Sequence, residues 1–171
     1  EGGISTSPIS YRFWQKTAEE RNSVLERAAV NLAEVAANLH FLGNQTGKFL
    51  HLDIEPEPDG ILENSDETIA FFQDCLLPIG TKYLAEKHHI PSGDATQIIL
   101  RHIQVCYDVC HFAIVFEKPT ATFAKFEQAG INIGKIQISA ALKVDVPAAQ
   151  LERDKLKEKL SQLSESTYLH Q

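Results

Sequence analysis

The chain has 171 residues, 43% of them hydrophobic and 23% charged, with a net charge of −7 and a pI near 5.5. That length carries one domain with a real hydrophobic core, and an acidic balance without a basic stripe disfavours nucleic acid as a partner. The three cysteines, Cys75, Cys106 and Cys110, are too few and odd in number for a disulfide framework, so a reducing cytoplasm is the expected location. No stretch approaches the roughly 18 consecutive apolar residues of a membrane span, and the opening Glu-Gly-Gly-Ile-Ser has neither the basic nor the apolar region of a signal peptide.

The opening Ser5, Thr6, Ser7 and Pro8 is polar. A long amphipathic helix is expected from near Tyr11, with Leu25, Ala28, Ala29, Leu32, Val35, Ala36, Leu39 and Leu42 on one face and Gly43 as its cap. The period then changes to two. In Lys48 to Glu55, Leu50, Leu52 and Ile54 face one way while His51, Asp53 and Glu55 face the other, and Pro56 and Pro58 end the strand. Asn64 with Glu67 predicts a capped helix running to about Leu77, followed by a second from Gly80 to His88. His88 and His89 are expected in solvent. A short helix opens at Ser92 and Asp94.

A second strand spans Ile103 to Asp108, with Gln104, Cys106 and Asp108 on its polar face. A helical turn follows from Cys110 to Phe116, and a helix from Pro119 to Gly130. The third strand, Ile133 to Ser139, alternates Ile136 and Ile138 with Lys135, Gln137 and Ser139. A charged helix from Pro147 to Leu163 comes last, with Leu151, Leu156, Leu160 and Leu163 along its apolar side. Strands alternating with helices and no hairpin signal imply a parallel sheet. Each strand has one polar face, and the polar residues gather toward the C-terminal strand ends. That suits a (β/α)8 barrel, whose mouth lies there. Three strands, against the eight of a closed barrel, make the expected fold α/β: a partial (β/α)8 TIM barrel of about three consecutive parallel strands with flanking helices. With no Met and no cap at its last residues, the chain is expected to be an internal portion of a single barrel domain over residues 1–171.

The strand ends deliver Glu55 and then Glu57, Asp108 and then His111, and Gln137 with Ser139 and Lys143. Carboxylate and imidazole groups converging from neighbouring strands are ligands for a divalent cation such as Mn²⁺, Mg²⁺, Co²⁺ or Zn²⁺. Each acid alone more often caps a helix or pairs with a lysine, and His111 alone is as readily a structural histidine. Cys106, Cys110 and His111 lack both zinc-site spacing and a fourth ligand.

Leu52-Asp-Ile-Glu55-Pro and Tyr107-Asp108-Val-Cys-His111 resemble the sugar phosphate isomerase/epimerase group of xylose isomerase-like TIM barrels, which includes endonuclease IV. The chain more closely resembles the EboE family of metabolite traffic proteins, in Gly3-Ile-Ser-Thr6, Ile54-Glu-Pro-Glu-Pro58, Cys106-Tyr-Asp-Val-Cys-His111, Gly134-Lys-Ile-Gln-Ile-Ser139 and Tyr168-Leu-His-Gln171. The resemblance implies that Glu55 and Asp108 ligate a metal, with Gln137 where the family's third ligand is normally His. It implies a substrate oxygen at His111, a role for Glu55 as ligand or base, and substrate-binding roles for Lys143, Ser139 and Glu57. The expected function is a metal-dependent isomerase or epimerase acting on a small sugar-like or polar metabolite. The alternative is a non-catalytic metabolite-binding or traffic protein with a degenerate metal site, which Gln137, a poorer ligand, favours. A DNA-repair role of the endonuclease IV kind would need more histidines and a basic surface. Composition leaves the oligomeric state open.

Overall fold

The computed structural model describes residues 1–163. Two compact units emerge, Glu1–Ser139 and a second that begins at Ala140. The first unit is a mixed α/β structure around one parallel sheet of four strands in the order β1-β2-β3-β4. These are β1 (Gly2–Thr6), β2 (Leu50–Ile54), β3 (Ile103–Asp108) and β4 (Ile133–Gln137). The helices are α1 (Ala18–Thr46), α2 (Ser65–Ala70), α3 (Leu77–His88), α4 (Ser92–His102), α5 (Val109–Ile114) and α6 (Pro119–Gln128), with α7 (Gln150–Ser161) in the second unit.

The sheet has one strand more than the sequence pattern indicates. Gly2–Thr6, where no strand was expected, pairs in parallel with β2 from Gly2 opposite Leu50 to Thr6 opposite Ile54. Two glycines and two hydroxyl residues weaken its strand signal, because it is backbone pairing rather than side-chain propensity that recruits it. The three expected strands are present, but the first is trimmed to Leu50–Ile54 and the third ends at Gln137, two residues before Ser139. The sheet is curved as a half-barrel: Lys135 Nζ on β4 donates to Ser5 Oγ on β1 at 2.8 Å, joining the two edge strands across the concave side. A register shift between Val105 and Cys106, where Gly134 has no pairing partner, adds to the bend.

Helix boundaries follow the capping chemistry more than the apolar period. A single 3₁₀ turn covers Arg12–Trp14, and α1 starts only at Ala18, where Thr17 Oγ1 accepts the Glu20 N–H. Gly47, left-handed at φ 70°, ends it rather than Gly43, and the Gly47 N–H returns to the Gly43 carbonyl at 2.8 Å. The buried stripe is Ala29, Ala33, Ala36 and Ala37, while Leu42 is left 43% exposed. Small residues win this face because α3 lies close. A Cβ on Gly80 would meet Ala33 Cβ and Ile99 Cδ1 at 3.0 Å.

Asn64 caps α2 as expected, accepting the Glu67 N–H at 2.9 Å, but the Glu67 carboxylate takes the Glu63 N–H one residue short of the usual capping box. The two helices expected between Asn64 and His88 are one continuous helical run, joined through a wider π-type turn at Phe71–Leu76 that buries Phe71, Phe72 and Leu76. His89 is exposed as expected, but His88 is only partly so. Its ring packs against Phe41 at 5.3 Å and its Nε2 lies 3.8 Å from the Glu34 carboxylate, because the helix end folds back onto α1.

The convex side of the sheet faces the apolar core. Ile54, Ile103, Val105 and Tyr107 are buried there with Phe72, Leu84, Ile99, Phe112 and Phe126. Tyr107 and Phe112 stack in parallel at 4.3 Å, and Phe126 meets Phe112 edge-on at 6.5 Å. Below the strand ends, Glu117 ties α2 to α6 by accepting from Ser65 N and Oγ and from Thr122 Oγ1. In the second unit α7 buries none of its residues, and Leu151 and Leu163 of the expected apolar side are exposed.

Candidate functional site

The concave side of the sheet is lined with polar side chains in two tiers. The deeper tier comes from positions 51 and 53 of β2 and 104 of β3. His51 Nδ1 lies 2.8 Å from Asp53 Oδ1, and both residues are buried. Gln104 Nε2 donates to the Arg101 carbonyl. Room for this tier comes from two glycines on the edge strands. A Cβ on Gly3 would stand 2.2 Å from His51 Cε1, and one on Gly134 would stand 2.0 Å from Asp53 Oδ1 and 2.6 Å from Gln104 Oε1. Asp53 is 0% exposed and its Oδ2 has no hydrogen-bond partner among the described residues.

Burial raises the Asp53 carboxyl above the usual carboxylate range, and the neighbouring His51 and Lys135 only partly counter it. A raised acid stabilises the fold fully below its unfolded pKa, and that contribution is lost as pH rises through the folded value. At neutral pH the charge is therefore a cost. Asp53→Asn keeps an acceptor for His51 and removes the charge. We expect it to raise the melting temperature at pH 7 by roughly 3–6 °C, about 1–2 kcal/mol, with the gap closing toward pH 4. A variant less stable than the parent at pH 7 would show instead that the His51–Asp53 bond outweighs burial.

The upper tier sits at the C-terminal strand ends and contains most of the residues singled out by sequence. Gln137 Nε2 donates to Glu55 Oε1 at 3.2 Å, bringing β4 to β2 across the concavity. Ser139 Oγ donates to Asp108 Oδ1, and Cys110 Sγ donates to Asp108 Oδ2 at 3.2 Å. The Ser139 hydroxyl in turn accepts the Cys110 N–H at 2.9 Å. Glu57 accepts the Tyr11 hydroxyl at 2.8 Å. Cys106, on the same face beneath, has its thiol pushed up to about 12 by burial with the Glu55 carboxylate alongside, so it stays protonated and unreactive. Burial likewise raises the Cys110 thiol.

His111 and Lys143 are placed elsewhere. His111 is buried, and its Nε2–H donates to the Glu63 carbonyl at 2.5 Å, which leaves Nδ1 without a partner among the described residues. The imidazole thus pins the loop before α2. Lys143 belongs to the second unit, where it is exposed.

The donor set does not complete a metal site. Among the described residues no three His, Cys, Asp or Glu side chains gather as a metal would require. Glu55 and Asp108 are the two carboxylates, Gln137 turns its amide nitrogen to Glu55, and both Asp108 oxygens already accept hydrogen bonds. Cys106, Cys110 and His111 do not form a zinc cluster either, since the His111 ring is committed to Glu63. Sequence reasoning placed His51, Asp53 and Lys135 on the polar strand faces but missed Ser5, the His51–Asp53 bond and the Lys135–Ser5 bond.

A chain of parallel βα units curved into a half-barrel sheet, with a polar concave face and strand-end rim, is the class that fold and site define. No protein-family model matches the chain, and no curated protein or solved structure is significantly similar to it. Among the described residues no helix is long and apolar enough to cross a membrane.

Proposed function

We propose that this chain is part of a xylose isomerase-like TIM barrel of the EboE type, in which the strand-end rim holds a small polar metabolite without metal-dependent turnover. One observation carries this reading. Glu55 and Asp108, the carboxylates that such a barrel would give to a metal, are instead held by Gln137, Ser139 and Cys110. Neutral amide and hydroxyl partners are the groups that exchange readily with ligand hydroxyls and amines, because each bond lost within the rim is replaced by one to the ligand. Glu55, Asp108, Gln137 and Ser139 are the binding groups, with Glu57 at the outer edge.

The metal-dependent isomerase is the second reading, favoured by the arrival of Glu55 and Asp108 from neighbouring strands at one rim. There Glu55 would accept a proton from carbon next to a carbonyl, with Gln137 orienting its carboxylate. No step passes through a metal, because the donor set at this rim is incomplete.

Binding is tested by thermal unfolding of the full chain against small polyols, sugars and amino alcohols. A ligand at about 100 times its Kd adds about 2.7 kcal/mol and so raises the melting temperature by roughly 5–10 °C. We expect Glu55→Gln and Asp108→Asn each to abolish most of that rise. A rise that both variants retain places the ligand elsewhere and removes the rim from the proposal.

A further inference from the structure

Next to Glu57 the loop that follows β1 carries three aromatic rings. Tyr11 and Phe13 stack at 5.6 Å, and Trp14 stands edge-on to them at 5.1 and 6.0 Å. Phe13 is 59% exposed and Trp14 62%. The loop beneath them is firmly held. Tyr11 forms an antiparallel bridge to Gly60, its hydroxyl donates to Glu57, and the Arg12 guanidinium donates to both Glu67 oxygens and lies 3.1 Å from Glu63. Large rings fixed on an anchored loop and left toward water form a ready contact surface. Trp14 also borders a groove of about 490 Å³ with Glu19, Glu20, Val24 and Arg27, a volume in the range of small-molecule sites.

Charge selects the ligand. The rim carboxylates Glu55, Glu57 and Asp108 accept their hydrogen bonds from an amide, hydroxyls and a thiol, all neutral. Arg12 pairs with Glu63 and Glu67, Lys125 with Asp66 and Lys87 with Glu34, while Lys135, one residue pair deeper on the concave face, donates to the Ser5 hydroxyl. Two residues below Glu55 on the same face of β2, Asp53 is 0% exposed with one oxygen unpartnered among the described residues. An anion at this rim meets three carboxylates. A neutral sugar could stack on Trp14 but draws nothing from their charge. A cation gains from both, since Trp is the best of the aromatic faces for a positive group.

We propose that Trp14, Tyr11, Phe13 and Glu57 form a subsite for an organic cation, so that the metabolite taken by the rim carries an amine or quaternary ammonium group. The inference rests on the metabolite-binding reading and narrows it. The ammonium group sits over the Trp14 ring facing Glu57, and the rest of the ligand extends toward Glu55.

Trp14 is the single tryptophan of the chain, so its fluorescence reports the subsite directly. Choline is titrated into the full chain beside dimethylbutanol, its neutral carbon isostere, and sorbitol. We expect a saturable change with choline, about ten-fold tighter than with dimethylbutanol, and about five-fold weaker in Glu57→Gln. Calorimetry with Trp14→Ala, whose side chain is mostly exposed and whose melting temperature checks the fold, should show choline binding lost. Equal binding of choline and its isostere, no saturable response to choline, or undiminished choline binding in Trp14→Ala overturns the cation subsite. Sorbitol raising the melting temperature in a Glu55-dependent way while choline has no effect also overturns it and leaves the metabolite-binding reading intact.

Discussion

Replacing Phe112 by Ala is expected to lower the melting temperature by roughly 8–15 °C, the largest loss from any single substitution considered for this chain. The ring is 0% exposed and lies flat on Tyr107 at 4.3 Å with Phe126 edge-on at 6.5 Å. Truncation removes the buried area and leaves a cavity among aromatic neighbours that cannot collapse into it. Such changes cost about 3–5 kcal/mol, and a domain of this size loses about 2–4 °C per kcal/mol. Because Phe112 sits on α5, directly after Asp108, the same change is expected to loosen the strand-end rim. Phe112→Leu, which keeps most of the volume, should recover more than half of the loss. Thermal unfolding of both variants checks this, and a drop of under 3 °C for Phe112→Ala would mean that the β3–α5 corner is not part of the core.

The second large effect is expected from a far smaller change. Gly134→Ala adds one methyl group, yet its carbon would stand 2.0 Å from Asp53 Oδ1, 2.6 Å from Gln104 Oε1 and 2.7 Å from His51 Nδ1. Real Cβ atoms do not approach so closely. Either the polar tier is displaced, breaking the His51–Asp53 bond, or the sheet uncurls. We expect a loss of about 2–3 kcal/mol, roughly 5–10 °C. Gly93→Ala is the control: it sits in the first turn of α4 with nothing within 4 Å, and alanine is the better helix former. That variant should match or slightly exceed the parent. Equal stability of the Gly134 and Gly93 variants would contradict the tightly curved concave face.

Much of the fold was legible in the residues. The period-two runs at Leu50–Ile54 and Ile103–Asp108 fall on strands, Asn64 caps its helix, and Pro119 opens α6. What failed has physical reasons. The strand at Gly2–Thr6 carries almost no side-chain signal, and one of its two glycines, Gly3, makes room for His51 and Asp53 rather than packing. On α1 the expected face does pack on the core through Leu25, Ala28, Ala29, Leu32, Val35 and Ala36, and what the local pattern missed is Ala33, buried against Gly80. Of the rim, sequence located Glu55, Asp108, Gln137 and Ser139, because strand alternation puts them on one face. It did not reveal that they bond to one another, nor that His111 turns to the Glu63 carbonyl, since both depend on contacts across 29 or more residues. The aromatic loop around Trp14 escaped because Tyr11, Phe13 and Trp14 read as the start of the long helix, which begins only at Ala18.

The measurement that bears most directly on a metal-free, metabolite-binding rim is elemental mass spectrometry of the full chain after equilibration with Mn²⁺, Co²⁺ and Zn²⁺, beside Glu55→Ala and Asp108→Ala. We predict metal well below one ion per chain, at a level that neither substitution changes. Close to one ion per chain, lost in both variants, would contradict it and make the strand-end carboxylates the ligands of an isomerase.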